Sequence, residues 1–160
     1  MMKIEAEIKS EARVTRILLP TDFSPGAAPA LRWAAALSRA FSAELILLHV
    51  LDMSIAALAG LPSQIAAMPA VNDLLERVRA ETAEQMSHLA ARFPGARTII
   101  REGSPRPVIL QVVSEVGADL IVMGTHGRTG LAHVFFGSVT EHVVRHSRIP
   151  VLTVRQVELE

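Results

Sequence analysis

Apolar runs alternate with amphipathic stretches along nearly the whole chain. Arg16-Ile17-Leu18-Leu19-Pro20-Thr21 reads as a first strand, and Ser24-Pro25 behind it as an N-cap with proline at the first helical position. From there Ala27, Ala30, Leu31, Ala34, Leu37, Ser38 and Phe41 fall on one helical stripe, with Arg32 and Arg39 on the opposite face. Leu45 to Val50 is a second strand, apolar almost throughout, as expected where both sheet faces are covered. Val71, Leu75, Val78, Thr82, Met86, Leu89 and Phe93 mark a long amphipathic helix that Pro94-Gly95 ends. Arg97 to Arg101 makes a third, weaker strand. Ser104-Pro105 starts a helix that buries Ile109, Val112, Val113 and Val116, with Gly117 as its C-terminal cap. Leu120 to Met123 forms the fourth strand. A glycine-punctuated loop then leads to a helix from about Ser138, and Val151 to Val154 is the fifth strand.

Five strands alternating with four helices predict one doubly wound α/β domain. Its open sheet is mostly parallel, with right-handed crossovers and helices on both faces. No shift in composition marks a second domain. Residues 1–13 read as a flexible N-terminal extension, 14–156 as the domain and 157–160 as a C-terminal tail.

Composition narrows the function classes. The 160 residues suffice for one buried core, and half of them are hydrophobic, which argues against disorder. Sixteen basic and sixteen acidic residues cancel, so no overall field draws the chain to nucleic acid or an anionic membrane. Both lysines, Lys3 and Lys9, lie in the N-terminal extension. Cysteine is absent, which removes disulfides, thiolate nucleophiles and sulfur-ligated metals and suits a cytoplasmic protein. Met53 to Asn72 carries no charge, but Gly60, Pro62 and Pro69 interrupt it too often for the roughly 20 apolar residues of a membrane span. It reads as a mobile apolar loop or lid.

Ligands of open α/β sheets bind beyond the carboxyl ends of the strands. Two segments there are unusual: Pro20-Thr21-Asp22-Phe23-Ser24-Pro25, and Gly124-Thr125-His126-Gly127-Arg128-Thr129-Gly130 followed by Gly137-Ser138-Val139-Thr140. Gly124 and Gly127 can take positive φ and let backbone amides approach a ligand. Gly137-Ser138 opens a helix whose first amides and positive dipole end attract phosphate. The Ser138 and Thr140 hydroxyls add donors there. Ser138-Val139-Thr140-Glu141 is equally a capping box, in which Ser138 serves only its own helix. A Walker A lysine and a GxGxxG fingerprint are both missing, so a phosphate site must rely on amides and hydroxyls, with or without a metal ion. His49 reads as a hydrogen-bonded core histidine. His133, His142 and His146 lack convincing metal-ligand spacing.

Gly124, two residues, Gly127, nine residues, then Gly137-Ser138 resembles the nucleotide signature of ATP-binding universal stress proteins. Leu18 to Ser24, Leu47-Leu48-His49-Val50, Gly103-Ser104-Pro105, Ala118 to Gly124 and Ser147 to Val151 resemble that family too. The resemblance implies strand order 3-2-1-4-5. It implies that Asp22, with the Val50 backbone, recognises adenine or ribose, and that Pro20 and Thr21 shape the floor. Met123 and Gly124 would contact the nucleoside, while Gly127, Arg128, Gly137, Ser138, Val139 and Thr140 cradle phosphates. His126 would approach phosphate or face solvent. The implied ligand is ATP, or AMP or ADP, with magnesium held mainly by phosphate. A homodimer through Val151 to Val154 is expected, and a regulatory protein partner is compatible with it. The leading function is a nucleotide-binding stress-response module. A slow ATP hydrolase or phosphotransferase and a nucleotide-free interaction dimer stand as alternatives.

Overall fold

A computed structural model describes residues 13–52, 69–125 and 137–155. Five strands, β1 (Arg16–Pro20), β2 (Glu44–Leu51), β3 (Arg97–Glu102), β4 (Leu120–Gly124) and β5 (Val151–Val154), form one sheet in the order β3-β2-β1-β4-β5. Every pairing is parallel. The helices among the described residues are α1 (Ala28–Phe41), α2 (Pro69–Ala91), α3 (Pro105–Val116) and α4 (Ser138–His146), with a single 3-10 turn at Pro25–Ala27.

Two cores explain why β1 and β2 are apolar at consecutive positions. On one face Ile17, Leu19, Leu45 and Leu47 pack with Ala30 and Ala34 of α1 and Met86 of α2. On the other, Leu18, Ile46, Leu48 and Ile121 pack with Ile109, Val112 and Val116 of α3 and Val143 of α4. Successive side chains of a strand point to opposite faces, so a strand covered twice has no polar register. Alanines at positions 30 and 34 are small enough to bring α1 close onto the sheet.

Some local expectations change. Proline 25 begins the 3-10 turn, not the α-helix, and the Ser24 side chain makes no cap bond. Its Oγ is buried without a partner among the described residues. Phe41 fits the apolar stripe by spacing but is 51% exposed at the last position of α1, where Ser42 turns left-handed. Helix α2 begins at Pro69, so the end of the uncharged stretch is helical rather than loop. Gly117 caps α3 as expected, at φ 59°. The N-terminal extension, residues 53–68 of the expected lid and the C-terminal tail lie outside the described residues. Among the described residues no helix is long and apolar enough to cross a membrane.

Candidate functional site

Strand β1 pairs with β4 only at Ile17↔Leu120 and Leu18↔Ile121. Past that point β1 continues beside β2 to Pro20↔Leu48, and β4 beside β5 to Gly124↔Val154. The two central strands therefore part where the strand order reverses, and a cleft of about 640 Å³ opens above their carboxyl ends. That volume suits a small organic ligand.

One wall is the turn that follows β1. Thr21 N donates to Leu48 O at 2.8 Å, and the Thr21 carbonyl accepts from His49 Nδ1 at 2.8 Å. Phe23 N donates to Thr21 Oγ1 at 3.1 Å, and Ser24 N to Asp22 Oδ1 at 3.0 Å. Phe23 lies at φ 60°, a left-handed conformation that costs a bulky residue about 1–2 kcal/mol. Its ring stacks on His49 at 4.4 Å with planes 20° apart. Asp22, beside it, lines the cleft.

The opposite wall joins the end of β4 to the start of α4. Thr125 N donates to Val154 O at 3.0 Å, Gly137 N to Thr125 O at 2.7 Å, and Thr140 Oγ1 to Gly124 O at 2.8 Å. Gly137 is the N-cap, at φ −64° and ψ 152°, and no side chain caps the helix. Ser138 is thus the first helical residue, which removes the capping-box reading. Glu141 pairs instead with Arg145 at 2.8 Å. The amides of Ser138, Val139 and Thr140 have no acceptor within their helix. Two expectations are corrected here. Gly124 is a strand residue without a positive φ, so it does not use left-handed backbone. The Thr140 hydroxyl proton is committed to the Gly124 carbonyl, leaving Ser138 as the exposed hydroxyl of the pair.

Ten of the anticipated residues line this one cleft: Pro20, Thr21, Asp22, Val50, Met123, Gly124, Gly137, Ser138, Val139 and Thr140. His126, Gly127 and Arg128 lie outside the described residues. Sequence reasoning missed the wall supplied by α2 (Val78, Glu81, Thr82 and Gln85), and Phe23, His49 and Asp52. The α2 stripe did place Val78 and Thr82 on the inner face, but periodicity has no way to show that the stripe overhangs a cleft. His142 and His146 are not among the lining residues and stack on each other along α4 at 4.2 Å. Burial there, with His146, Arg106 and Arg145 nearby, holds His142 below its ordinary pKa.

Residues 13–155 match the model of the universal stress protein family. Universal stress protein MJ0577 of Methanocaldococcus jannaschii is 32% identical over 155 residues, covering 88% of this chain and 94% of its own. The solved structure of MJ0577 superposes with a TM-score of 0.72, covering 91% of this chain and 99% of its own. UspA of Lactobacillus plantarum gives 0.74 at 29% identity, covering 91% and 100%. A family protein from Arabidopsis thaliana with AMP bound shares the fold at 21% identity and a TM-score of 0.62, covering 89% and 92%.

Proposed function

This chain belongs to the universal stress protein family, and from that premise we propose that its cleft binds an adenine nucleotide, ATP foremost, in a regulatory binding module. The observation that carries the reading is the start of α4. Its first three amides have no intrahelical acceptor and no side-chain cap, and Gly137, Ser138, Val139 and Thr140 all line the cleft. A helix N-terminus left open in this way attracts phosphate through its donors and its dipole. Across the cleft, Asp22, Asp52 and Glu81 repel phosphate and offer acceptors to ribose hydroxyls or an exocyclic amine. This polarity orients a nucleotide with phosphates at α4 and nucleoside at β1 and β2.

Magnesium fits as a companion of the phosphates, held chiefly by their oxygens. The described residues offer no group of three or more ligating side chains to hold it alone. The described cleft-lining residues also include no lysine or arginine to neutralise a transferring phosphoryl group. With no lysine beyond Lys9 in the whole chain to neutralise a transferring phosphoryl group, the expected turnover is far below a typical kcat of about 10 s⁻¹. Family resemblance and a largely apolar edge at β5 support a homodimer through Val151 to Val154, and the absence of cysteine suits the cytoplasm.

Calorimetric titration with magnesium-ATP tests the reading. A hundredfold excess over Kd adds about 2.7 kcal/mol to stability, which for a domain of this size raises Tm by about 5–10 °C. Gly137→Val is the informative variant, because φ −64° and ψ 152° suit valine while its bulk obstructs a phosphate. Asp22→Asn is a cleaner partner than Asp22→Ala, since it keeps an acceptor for Ser24 N. Both variants should fold and bind at least about tenfold more weakly, a loss of roughly 1.4 kcal/mol. Wild type that gives neither heat nor a Tm shift overturns the proposal.

A further inference from the structure

Asp22 stands on a turn that no repeating structure supports, and its usefulness depends on what holds that turn. The β1–β2 ladder ends with Thr21 N on Leu48 O. The next acceptor, the Thr21 carbonyl, belongs to a residue only 7% exposed and takes its hydrogen bond from a side chain, His49 Nδ1 at 2.8 Å. A carbonyl can only accept, so Nδ1 carries the proton and the tautomer follows from the geometry. The other face of this contact is Phe23, whose ring lies on the imidazole at 4.4 Å while its backbone is left-handed. His49 is itself 4% exposed and leads from the β2 core into the cleft wall. One buried side chain thus touches the residues on both sides of Asp22.

We propose that His49 is a positioning residue for the nucleotide site: its Nδ1–H clamps the Thr21 carbonyl, and its ring holds Phe23 in the left-handed turn that keeps Asp22 at the cleft. The role rests on the nucleotide reading above and deepens it. Histidine suits the position because it combines a short-reach donor with a flat face. The donor is the main hold on the turn that carries Asp22, and the flat face adds to it on the Phe23 side. Leucine would fill the space but supply no donor. Asparagine would place its amide nitrogen near the position of Nδ1 and restore the clamp without the ring.

ATP titrations of wild type, His49→Leu and His49→Asn test this. Loss of one buried hydrogen bond to the turn should weaken ATP binding by about ten- to hundredfold in His49→Leu. His49→Asn should recover most of that loss. Wild type that binds no ATP overturns the nucleotide reading and this role with it. Wild type that binds ATP, with His49→Leu binding equally well, overturns the positioning role alone. So does His49→Asn binding as weakly as His49→Leu, because the donor would then be irrelevant. Should His49→Leu fail to fold, the ¹⁵N spectrum of the wild-type imidazole still decides. A protonated Nδ1 that exchanges slowly upholds the clamp, and a ring protonated only at Nε2 refutes it.

Discussion

Asp119→Ala should lower stability by about 2–3 kcal/mol and do so only above acidic pH. Asp119 precedes β4, and its Oδ2 accepts three hydrogen bonds from the start of β1: Thr15 N at 2.8 Å, Thr15 Oγ1 at 2.7 Å and Arg16 N at 2.9 Å. Its own amide returns one to Arg16 O at 2.9 Å. The carboxylate therefore fastens together two strands more than a hundred residues apart in the chain, at the sheet's amino end. A hydrogen bond to a charged group contributes about 1.5–3 kcal/mol when shielded. Water competes at this partly exposed edge, so three bonds together are worth nearer to one shielded bond than to three. The Thr15 bonds first, and Arg16 after them, hold the Asp119 carboxyl below its ordinary pKa. A depressed folded-state pKa means the stabilisation is complete above the unfolded value near 4 and disappears as pH falls through the folded one. Thermal scans at neutral pH should place the variant about 5–10 °C below wild type. The gap should hold while the pH stays above the unfolded value near 4 and narrow as it falls below it. Asp119→Asn should show a smaller gap at neutral pH. A neutral-pH gap under about 2 °C, or one unchanged in acid, refutes the reasoning.

Ser24→Ala should be neutral or stabilising by up to about 1 kcal/mol in urea unfolding, since its Oγ is buried without a partner among the described residues and caps nothing. A loss as large as the ~1 kcal/mol usual for a capping serine would contradict that geometry. Gly117→Ala should cost about 1–2 kcal/mol from its left-handed φ of 59° alone. The new Cβ would also meet the Arg16 guanidinium at 3.2 Å and disturb its 2.8 Å bond to Val116 O; the midpoint of urea unfolding reads the sum. Leu152→Lys should shift sedimentation from twice the 17.3 kDa chain mass to the monomer. Of the two sheet edges, β5 is largely apolar and only partly buried while β3 carries Arg97, Arg101 and Glu102. Wild type that sediments as a monomer at micromolar concentration refutes the edge argument.

The fold was legible because doubly covered strands have no polar positions: the runs at 17–19 and 45–48 could hardly be anything else, and Gly117 announced where α3 stops. Strand order was not read from periodicity. It came with the family resemblance, and the pairings of β1 with β2 and β4 bear it out. Phe41 misled because a stripe weighs the last helical residue like the middle ones. At the cleft, residues in short motifs directly after β1 and at the start of α4 were anticipated, since their chemistry depends on local backbone. The α2 wall was missed for the opposite reason. Glu81 and Gln85 read as ordinary solvated positions of a helix, and only packing of α2 on β2 and β3 brings them to the cleft. Ser138 misled in a third way, because a capping box and a phosphate cradle use the same residues. The difference is a one-residue shift of the helix start.

That shift belongs to a larger asymmetry between the two ends of the sheet. At the amino end polar groups are spent on structure: Asp119 takes three donors, Arg16 caps the Val116 carbonyl, Ser38 Oγ donates to Ala43 O at 2.6 Å, and Glu44 N donates to Thr15 O at 2.8 Å. At the carboxyl end such bonds also occur, at Thr21, Asp22, His49 and Thr140, but other groups stay open. The starts at Ser24, Ser104 and Gly137 all lack a side-chain cap, Phe23 sits in a strained conformation, and the Ser24 hydroxyl is buried without a partner among the described residues. In a parallel doubly wound sheet the helices run back against the strands, so these uncapped starts gather around the cleft. A protein selected only for stability would cap them, at about 1 kcal/mol each. Leaving them open makes sense if a ligand supplies the missing acceptors, and the strain at Phe23 then belongs to the site it shapes. The two ends should accordingly separate in experiment. Changes at Asp119, Arg16 or Gly117 should move Tm and leave nucleotide affinity alone, whereas changes at Asp22 or Gly137 should do the reverse. Affinity that tracks Tm across both groups would mean that the cleft is an accident of topology rather than a site.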